Sequence, residues 1–502
     1  MTTPDFGALT HRDAPWGDLR VLVAGIGVSG FAAADALAQR GARVLVVDAA
    51  TPAPGTTPYE RARILEILDV EVRTGAEAVA RLPREWAVDL VVTSPGWRPT
   101  APLLVEAAER GIPVWGEVEL AWRMRTQVGA APWLTITGTN GKTTTVQMLA
   151  SILRAAGLRA CSAGNVGTPI LEAVLDPQPY DVIAVELSSF QLHCSESISP
   201  LASVCLNVAP DHLDWHGSQA AYELAKGKVY ARTQVACIYN VDDPVTERLV
   251  EAADVLAGAR AVGFTLGIPA PSMLGLVDDA LADRAFVEAR AHNAAELATV
   301  ADLSGARASV PPHVLANALA AAALARAYGV APRAVREGLR SFVPEPHRAT
   351  EVDPVDGVRF VDDSKATNPH AAGAALAAYE PVVWVAGGLL KGADIDPLVA
   401  QVASRLRGVV LLGADRAIIA QSLARHAPNV PVVDVPDTDT GAMDRAVRAA
   451  VDLASPGDVV LLAPAAASMD MFANYGARGD AFVAAVNRLR VANEQPKEQP
   501  ND

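Results

Sequence analysis

The chain is short of positive charge, of paired cysteines and of long apolar runs, and each shortage removes a class of protein. Lysine and arginine number 42 against 57 aspartates and glutamates, so the formal net charge is −15. A nucleic-acid binder ordinarily carries a basic surface, and this composition argues against that class. Nowhere does an apolar run approach the roughly 18 residues of a membrane span. The opening stretch, MTTPDFGALTHRDAPWGDL, lacks the apolar segment of a secretory signal.

The placement of the cysteines indicates in which compartment the protein is found. The four cysteines are scattered, and none forms a C-x-x-C pair: Cys161, Cys194, Cys205 and Cys237. Thiols placed in this way are expected to stay free in a reducing compartment. We therefore expect a cytoplasmic protein, and we expect it to act as a monomer.

The order of apolar runs predicts three α/β units. A length of 502 residues indicates two to four domains at roughly 150 residues each, and 51% hydrophobic residues allow sizeable cores. Short apolar, β-branched runs alternate with helical stretches, which is typical of parallel sheets. Strands are predicted at 20–24, 43–47, 90–93, 133–137, 181–186, 203–207, 358–362, 382–386, 408–412 and 459–463. Helices are predicted at 31–39, from the loop at 138–144 through 155, and at 315–328, whereas 263–312 are hard to place.

The first unit carries a nucleotide-binding fingerprint. Gly25, Gly27 and Gly30 follow the first strand at G-x-G-x-x-G spacing, and Asp48 ends the second strand. In a strand–turn–helix crossover this spacing brings backbone N–H groups close to a phosphate. A tight crossover without a ligand remains the alternative. A third strand runs into Ser94-Pro95-Gly96.

A second glycine-rich loop, LTITGTNGKTTT at 134–145, resembles a P-loop but lacks one of its glycines. The G-x-x-x-x-G-K-[ST] pattern requires glycine six residues before the lysine, where this chain has Ile136. The strand–loop–helix context nevertheless places N–H groups and a helix N-terminus where a polyphosphate binds. Lys142 can supply a positive charge, and Thr143 or Thr144 can supply a hydroxyl for Mg²⁺.

Polar side chains follow further strands. Glu186 ends the strand at 181–186, where a carboxylate is costly unless it is paired or bound to metal. NVAPDHLDWHGS, at 207–218, offers His212 as a functional residue, whereas Asp214 and His216 have an alternative as caps or turn residues. DDSKATNPHA, at 362–371, forms a polar cluster suited to an anionic ligand. Arg348 lies in a linker from which it can reach a γ-phosphate, or it forms a hinge salt bridge.

Together these motifs resemble the Mur ligase superfamily, whose members are ATP-dependent enzymes that form amide bonds in peptidoglycan precursor synthesis. The resemblance runs from about residue 20 to 488. GTNGKTT at 138–144 is similar to the superfamily's variant phosphate loop, which explains the missing glycine. DDSKATNPHA, PHR at 346–348 and LAPAAASMDMFANYGARGDAF at 462–482 are most similar to the branch that adds D-glutamate.

The resemblance implies an α/β fold of three domains and a division of labour among them. Residues 1–120 would form a Rossmann-like domain that binds the UDP substrate, and 121–344 a central P-loop ATPase-like domain that binds ATP. Residues 345–491 would form a C-terminal Rossmann-like domain for the amino acid. The polar composition of 492–502 predicts a disordered tail.

The implied reaction uses ATP, UDP-N-acetylmuramoyl-L-alanine and D-glutamate. ATP phosphorylates the substrate carboxylate to an acyl phosphate, the amine of D-glutamate attacks, and phosphate leaves. Two Mg²⁺ sites are implied, one with Thr143 and Glu186 and one with His212 and Lys226. Lys226 matches a carbamylated lysine of the family, and Lys228 is a nearby competitor. The implied catalytic residues are Lys142, His212, Lys226 and Arg348.

The resemblance also assigns the binding residues. ATP would contact Gly138, Thr139, Asn140, Gly141, Lys142, Thr143, Thr144, Asn317 and Asp363. The UDP substrate would contact Gly27, Val28, Ser29, Gly30, Asp48, Ser94, Pro95, Gly96 and Asn165. D-glutamate would contact Lys365, Thr367, Lys391, Ser468 and Tyr475. Two positions depart from the family pattern, since many relatives have asparagine where this chain has Val314 and phenylalanine where it has Tyr475.

Three other interpretations compete with this one. A folylpolyglutamate synthase would share the central loop but would lack a UDP-binding first domain. A nicotinamide-dependent oxidoreductase would explain GIGVSG at 25–30 and leave GTNGKTT unexplained. A non-catalytic nucleotide-binding regulator would not need Lys365, Lys391 and Ser468 together.

Overall fold

The computed structural model of the protein describes residues 4–304 and 310–494. Its strands are β1 (Arg20–Ala24), β2 (Arg43–Asp48), β3 (Glu71–Thr74), β4 (Leu90–Thr93), β5 (Val114–Gly116), β6 (Trp133–Thr137), β7 (Ala160–Gly164), β8 (Val182–Glu186), β9 (Ala202–Cys205), β10 (Ala236–Asn240), β11 (Arg260–Phe264), β12 (Met273–Val277), β13 (Ala280–Asp283), β14 (Ala295–Thr299), β15 (Thr350–Val355), β16 (Val358–Asp362), β17 (Val382–Gly387), β18 (Leu406–Leu412), β19 (Val432–Asp434) and β20 (Val459–Leu462).

Its α-helices are α1 (Val28–Ala38), α2 (Thr57–Ile67), α3 (Ala76–Val79), α4 (Pro102–Glu109), α5 (Glu117–Arg123), α6 (Lys142–Ala155), α7 (Ile170–Leu175), α8 (Ser189–His193), α9 (Leu213–His216), α10 (Gln219–Gly227), α11 (Pro244–Glu251), α12 (Val300–Ser304), α13 (Pro312–Tyr328), α14 (Pro332–Arg340), α15 (Pro369–Leu376), α16 (Asp396–Val402), α17 (Arg416–His426), α18 (Ala442–Leu453) and α19 (Tyr475–Glu494). Short 3₁₀ helices lie at Trp16–Asp18, Lys228–Tyr230 and Ala403–Arg405.

The first sheet has five parallel strands in the order β3-β2-β1-β4-β5. Its central strands read as continuous apolar runs because helices cover both faces of a parallel sheet. Helix α1 begins at Val28, three residues before the predicted start at Phe31. Of the fingerprint glycines, Gly27 is therefore the N-cap of α1 and Gly30 lies in its first turn.

The central sheet has nine strands in the order β14-β13-β12-β11-β10-β9-β6-β8-β7. Strands β6 to β12 pair in parallel, and β13 and β14 extend the sheet as antiparallel strands. The antiparallel extension lies within 263–312, the stretch that the sequence pattern did not place. Helix α13 is buried along most of its length, as expected for a helix that is apolar on all sides.

The third sheet has six strands in the order β15-β16-β20-β17-β18-β19. Only the edge strand β15 is antiparallel to its neighbour; the other pairs are parallel. Two apolar clusters fill its two faces, one centred on Trp384 and the other on Phe360 and Phe482. The predicted strand–helix alternation of this unit is confirmed.

The described residues fall into two compact units. The first holds the first two sheets and comprises the chain up to Val208, Ser218–Val310 and Val314–Phe342. The second holds the third sheet and comprises Ala209–Gly217, Pro311–His313 and the chain from Val343 onward. The prediction of a polar tail from residue 492 is corrected at its start, because α19 continues to Glu494; residues 495–502 lie outside the described residues. Among the described helices, none is both long and apolar enough to cross a bilayer.

Candidate active site

Most of the candidate residues lie at the carboxyl ends of neighbouring strands, which is where open α/β sheets bind their ligands. In the central sheet, β9, β6, β8 and β7 are adjacent. The phosphate loop follows β6, Glu186 is the last residue of β8, and Asn165 follows β7. The sheet order therefore brings together groups that are up to 48 positions apart in sequence, 138 to 186.

The phosphate loop is compact and tied to its surroundings. The Lys142 ammonium donates hydrogen bonds to the carbonyl oxygens of Gly138 and Thr139, each at 2.9 Å. The Asn140 N–H donates to Asn207 Oδ1 at 2.9 Å, and Asn207 Nδ2 donates to the Asn140 carbonyl at 3.1 Å. Asn207 was not singled out from the sequence, because a polar residue after a strand looks like any loop residue.

The position of the missing glycine is explained by the strand. Ile136 is fully buried in β6, and the loop begins only at Gly138. Gly141 takes a left-handed conformation, φ 84°, as the N-cap of α6, so Lys142, Thr143 and Thr144 form the first helical turn. A Cβ on Gly141 would lie 2.3 Å from Asn317 Oδ1, which shows how closely the Asn317 amide approaches the loop. The backbone N–H groups of this turn point toward the N-terminal end of the helix, a position that is suited to phosphate.

Glu186 has the character of a metal-binding carboxylate. It is 1% exposed, and its Oε1 accepts a hydrogen bond from Asn165 Nδ2 at 2.9 Å. Its Oε2 is buried without a hydrogen-bond partner among the described residues. A buried carboxylate oxygen is costly unless a cation or a donor meets it. The oxygen of Glu186 and the hydroxyl of buried Thr143 are hard donors of the kind that Mg²⁺ prefers.

The residues that the structure describes do not by themselves form a complete metal cage. Within residues 4–304 and 310–494, no group of three or more His, Cys, Asp or Glu side chains is arranged to hold a metal ion. Magnesium commonly binds through one or two protein oxygens together with substrate phosphates and waters. The donors present therefore match a metal that arrives with the nucleotide better than one that is held permanently.

Burial distinguishes the two candidate lysines on α10 and the 3₁₀ turn that follows it. Lys226 is 1% exposed, and its ammonium donates to the Gly138 carbonyl at 2.7 Å. Its Nζ also lies 4.7 Å from the centre of the Tyr222 ring, whose hydroxyl is 3.0 Å from Thr139 Oγ1. Lys228 is exposed and donates to the His193 carbonyl. Of the two candidates, Lys226 is thus the lysine whose ammonium contacts the phosphate loop.

His212 belongs to the second unit rather than to the loop's unit. It has a left-handed backbone, φ 54°, and its N–H donates to Asp211 Oδ1 at 2.9 Å. The contacts within the first unit assemble the loop, Glu186, Asn165, Lys226 and Asn317, and the second metal site predicted with His212 stays a prediction.

The fingerprint of the first sheet forms a tight crossover. The segments after β1, β2 and β4 lie side by side, and a Cβ on Gly30 would meet the Gly25 carbonyl oxygen at 1.8 Å, so only glycine fits there. The carboxylate of Asp48 accepts from the N–H groups of Ile26 at 2.9 Å and Ala50 at 2.9 Å. Asp48 therefore shapes the loop as well as being a candidate ligand contact.

A buried hydroxyl marks the same crossover. Ser94 follows β4, ahead of Pro95 and Gly96, and its Oγ is buried without a partner among the described residues. Ser94 Oγ lies close to Gly25, because a Cβ built on Gly25 would be 2.7 Å from that oxygen. An unsatisfied hydroxyl beside the N-terminus of α1 is consistent with a phosphate ligand at Val28–Gly30.

Glu117, which was not predicted as a site residue from the sequence, is buried beside this crossover. Burial raises the pKa of its carboxyl, against hydrogen bonds from Ser29 and from the backbone of Leu171 and Ile170 that lower it. Oε1 is buried without a partner among the described residues. Glu117 therefore links the first turn of α1 to the start of α7.

Replacing Glu117 by glutamine is expected to flatten the pH dependence of stability. Because the folded-state pKa is raised above the ordinary 4.5, the folded state holds the proton more firmly than the unfolded chain. That stabilisation is complete below pH 4.5 and is lost as pH rises through the folded-state pKa. Urea unfolding across this range should show the variant losing less stability than the parent as pH rises.

The exposed Glu109→Gln on α4 is the control for this measurement and should run parallel to the parent protein. If Glu117→Gln also runs parallel, Glu117 does not titrate on unfolding in the way that its burial implies.

In the second unit, the candidate D-glutamate residues lie at the ends of β16, β20 and β17, which are adjacent. Lys365 and Thr367 follow β16, Ser468 follows β20, and Lys391 follows β17. A backbone bridge between Leu389 and Ala467 joins the last two segments.

Tyr475, where many relatives have phenylalanine, starts α19. The Lys365 ammonium lies 3.9 Å from the centre of its ring. A tyrosine ring supports this cation–π contact as well as phenylalanine would. Ser468 is buried, whereas Lys391 is exposed.

Arg478 organises this region and was not identified from the sequence. It is 1% exposed, and it donates to Ser364 Oγ at 3.0 Å and to the Ser364 and Ala466 carbonyls at 2.9 and 3.1 Å. Burial lowers its pKa to about 10, so it stays charged at neutral pH. The Ser364 hydroxyl also donates to the Tyr475 carbonyl. Arg478 thereby joins the segments that carry Lys365, Ser468 and Tyr475.

The linker residues have structural contacts of their own. Arg348 Nη2 lies 3.4 Å from Glu345 Oε2, which is the ion pair expected by the hinge interpretation. Asp363 Oδ1 accepts from the Ala349 N–H at 3.2 Å. His347 Nδ1 is 2.6 Å from Asp362 Oδ2. The nucleotide contacts of Arg348 and Asp363 stay predictions.

Three α/β sheets, one of which carries a phosphate loop after β6, define a multidomain nucleotide-dependent enzyme. The chain belongs to the Mur ligase family. It matches the MurD-like N-terminal domain over residues 19–116, the Mur ligase middle domain over 136–325 and the Mur ligase glutamate ligase domain over 347–466. The predicted resemblance and the three-domain α/β fold class are confirmed, and the protein is an ATP-dependent ligase that forms an amide bond.

Similar proteins span nearly the whole chain. The UDP-N-acetylmuramoylalanine–D-glutamate ligase of Streptomyces avermitilis is 60% identical over 476 residues, 94% of this chain and 99% of that protein. The proteins of the same name from Thermobifida fusca and Mycolicibacterium smegmatis are 56% and 48% identical, over 94% and 93% of this chain and 98% and 96% of theirs. The oxidoreductase interpretation and that of a non-catalytic regulator are wrong.

Two solved structures share the fold. UDP-N-acetylmuramate-alanine ligase MurC of Thermotoga maritima has a TM-score of 0.54 at 18% identity and covers 94% of this chain and 100% of its own. MurF ligase of the same organism, solved in complex with ADP, has a TM-score of 0.52 at 15% identity, with coverages of 97% and 99%.

Proposed function

We propose that this protein joins D-glutamate to UDP-N-acetylmuramoyl-L-alanine at the expense of ATP, in the synthesis of peptidoglycan precursors. The observation that carries the proposal is the match along the whole chain to ligases named for this reaction, at 48–60% identity. The folylpolyglutamate alternative is disfavoured by the match of residues 19–116 to a MurD-like N-terminal domain. The described cysteines are free thiols, which fits a reducing compartment, and we place the reaction in the cytoplasm.

The central sheet supports the first chemical step. The γ-phosphoryl group of ATP moves to the alanine carboxylate, which gives an acyl phosphate and ADP. Lys142 and the first-turn N–H groups of α6 lie where they can hold the phosphate oxygens and offset their charge. When bound, Mg²⁺ would neutralise further charge, and Glu186 Oε2 and the Thr143 hydroxyl would hold it. Asn165 orients Glu186 through its hydrogen bond to Oε1.

The third sheet supports the second step. The amine of D-glutamate attacks the acyl carbon, phosphate departs with the bonding electrons, and the amine loses a proton. D-glutamate has two carboxylates, and the ammonium groups of Lys365 and Lys391 together with the hydroxyls of Thr367 and Ser468 are suited to them. Since the amine must stay free to react, binding energy has to come from the carboxylates.

The direct test is phosphate release from ATP with UDP-N-acetylmuramoyl-L-alanine and each candidate amino acid in turn. D-glutamate should give the fastest release and a product whose mass is that of the sugar-alanine plus glutamate less water. Faster release with another amino acid, such as L-alanine, L-lysine or diaminopimelate, would contradict the proposed D-glutamate specificity.

Lys391→Ala is expected to raise the KM for D-glutamate roughly tenfold to hundredfold while changing the KM for ATP much less. Removal of one charge-assisted contact to a carboxylate costs about 1.5–3 kcal/mol, which corresponds to that range if binding dominates KM. Because Lys391 is exposed, its replacement should leave the fold intact, and the change in KM then reports on binding. Initial rates at varied D-glutamate and varied ATP give both constants.

Arg425→Ala is the matched control, since it removes another partly exposed cation from the same unit, one paired with Asp396. It should leave both constants near those of the parent. An equal rise of both constants in Lys391→Ala would place Lys391 outside the D-glutamate site.

A further inference from the structure

A small cavity lies in the first unit where the segment before β1 meets the segment after α5, and its volume is about 30 Å³. The residues that line it are separate from the candidate substrate and metal contacts, and they include Arg12, Arg125, Trp133, Val174, Tyr180 and Ile183. A cavity needs roughly 10–15 Å³ on this measure to hold one water molecule. The space therefore admits about two waters or one compact ion, and it is too small for an organic cofactor.

Two arginines bring positive charge to this cavity. The Arg12 N–H donates to the Arg125 carbonyl at 2.9 Å, so the two side chains start from adjacent stretches of backbone. Arg12 Nη2 donates to the Val174 carbonyl at 2.6 Å, and Arg125 Nε donates to the Trp122 carbonyl at 2.8 Å. Both acceptors are neutral, so these hydrogen bonds leave each guanidinium charge without a counter-ion.

No acidic side chain compensates these charges within residues 4–304 and 310–494, because neither Arg12 nor Arg125 forms an ion pair there. Burial lowers the pKa of Arg125 to about 10, with no carboxylate acting against that shift, so the group stays charged at neutral pH. The Trp122 ring centre lies 3.1 Å from Arg125 Cζ and supplies a cation–π contact only. Unpaired charges are costly to bury, so a counter-ion is expected beside Arg125.

A third guanidinium adds to the local positive charge. Arg40 Nε donates to the Arg12 carbonyl at 3.2 Å. Burial and the neighbouring Arg12 charge lower the pKa of Arg40, against smaller opposing effects of Asp13 and Asp35. Three guanidinium groups thus gather in a chain whose formal net charge is −15. Like charges held close together favour an anion between them.

The donors that an anion would meet are open to solvent. Arg125 Nη1 and Nη2 make no hydrogen bond within the described part of the chain, and they are not sealed inside packed protein as Arg12 Nε and Trp133 Nε1 are. The segment 127–129, which includes the lining residue Gly129, is exposed and gives an ion a route in from solvent. An anion in the cavity can therefore accept hydrogen bonds from Arg125 and be attracted by the charge of Arg12.

We propose that the cavity binds one monovalent inorganic anion of the size of chloride, held between Arg12 and Arg125. The volume favours a compact ion, and a single charge is less costly to remove from water than the double charge of sulfate or hydrogen phosphate. The ion joins the segment before β1 to the segment after α5 and thereby stabilises the first unit. It takes no part in the proposed reaction, so the inference goes beyond the proposed function and can fail separately from it.

The test is urea unfolding of the full chain in sodium chloride and in sodium gluconate at equal ionic strength, followed by tryptophan fluorescence. Gluconate is too large for the cavity, so only chloride should raise the unfolding midpoint, and its effect should saturate. At ten times its Kd, chloride should lower the unfolding equilibrium constant of the first unit about elevenfold. In crystals grown with bromide, an anomalous difference peak should lie between Arg12 and Arg125.

Arg125→Gln removes one of the two charges, and its unfolding midpoint should be the same in the two salts. Ala130→Val keeps both arginines but fills the cavity from its wall, and it should lose the chloride effect as well. Arg333→Gln is the matched control, since it removes an exposed arginine of the same unit that pairs with Glu337, and it should respond as the parent does. If Arg125→Gln does not fold, Arg12→Gln removes the other charge and replaces it.

Three results would overturn the proposal. Equal midpoints of the parent in chloride and gluconate would mean that water fills the cavity. A chloride effect of parental size in Arg125→Gln or in Ala130→Val would place the ion elsewhere. Bromide peaks only outside the cavity would mean that the ions bind adventitiously at the surface.

Discussion

Lys142→Met is expected to lower kcat/KM for ATP by about a thousandfold or more and to leave binding of the UDP substrate nearly intact. The ammonium lies on the loop, 2.9 Å from the carbonyl oxygens of Gly138 and Thr139, so its charge is held beside the N-terminus of α6. Methionine keeps most of the side-chain volume and removes the charge. Phosphate release at varied ATP and calorimetry with UDP-N-acetylmuramoyl-L-alanine measure the two effects.

Arg154→Met provides the matched control because it removes a cation from the last turn of the same helix. Arg154 is exposed, and its Nε donates to the Ala150 carbonyl within the helix. Its loss should change turnover less than about twofold, as expected for a surface substitution. If Lys142→Met kept turnover within tenfold of the parent, the loop would not be the phosphate site.

Much of the fold could be predicted from the sequence because parallel strands are buried on both faces and read as apolar runs. The strands at 20–24, 90–93, 133–137 and 358–362 occur with the predicted bounds. Several candidate residues follow strands and could be proposed on that ground, because adjacent parallel strands end at one edge, whereas the others were assigned by the family resemblance. The antiparallel hairpins β12 to β14 were missed, because short, partly exposed strands give no long apolar run.

The buried polar contacts could not be predicted. Arg478 and Glu117 look like surface charges in the sequence, and only the packing around them shows that they are buried. Lys226 and Lys228 are two residues apart and chemically identical, so the sequence left both open. The structure distinguishes them by where each ammonium points: Lys226 to the Gly138 carbonyl of the loop and Lys228 to the His193 carbonyl. That difference leads to the second large prediction.

Lys226→Ala is expected to lower turnover by about a hundredfold to a thousandfold, the usual effect of removing one group that stabilises developing charge. High bicarbonate should not restore activity, because a carbamate forms on the lysine amine. A short carboxylate such as acetate or propionate should restore part of it, since alanine leaves space for an anion that can meet Mg²⁺ in place of the carbamate. Phosphate release measured with each additive at matched ionic strength gives the result.

Lys228→Ala is the matched control, because it removes a lysine two positions away that is exposed. It should keep near-parental turnover and should not respond to carboxylates. The structure also allows Lys226 to act as an ammonium that ties the loop through the Gly138 carbonyl, and the two roles differ in carbon-dioxide-free buffer. A parent enzyme equilibrated there should lose turnover if the carbamate is required, and intact-protein mass should fall by one carbon dioxide. Full turnover with the unmodified lysine, or a defect in Lys228→Ala instead, would make the carbamate assignment wrong and leave Lys226 as a tether of the phosphate loop.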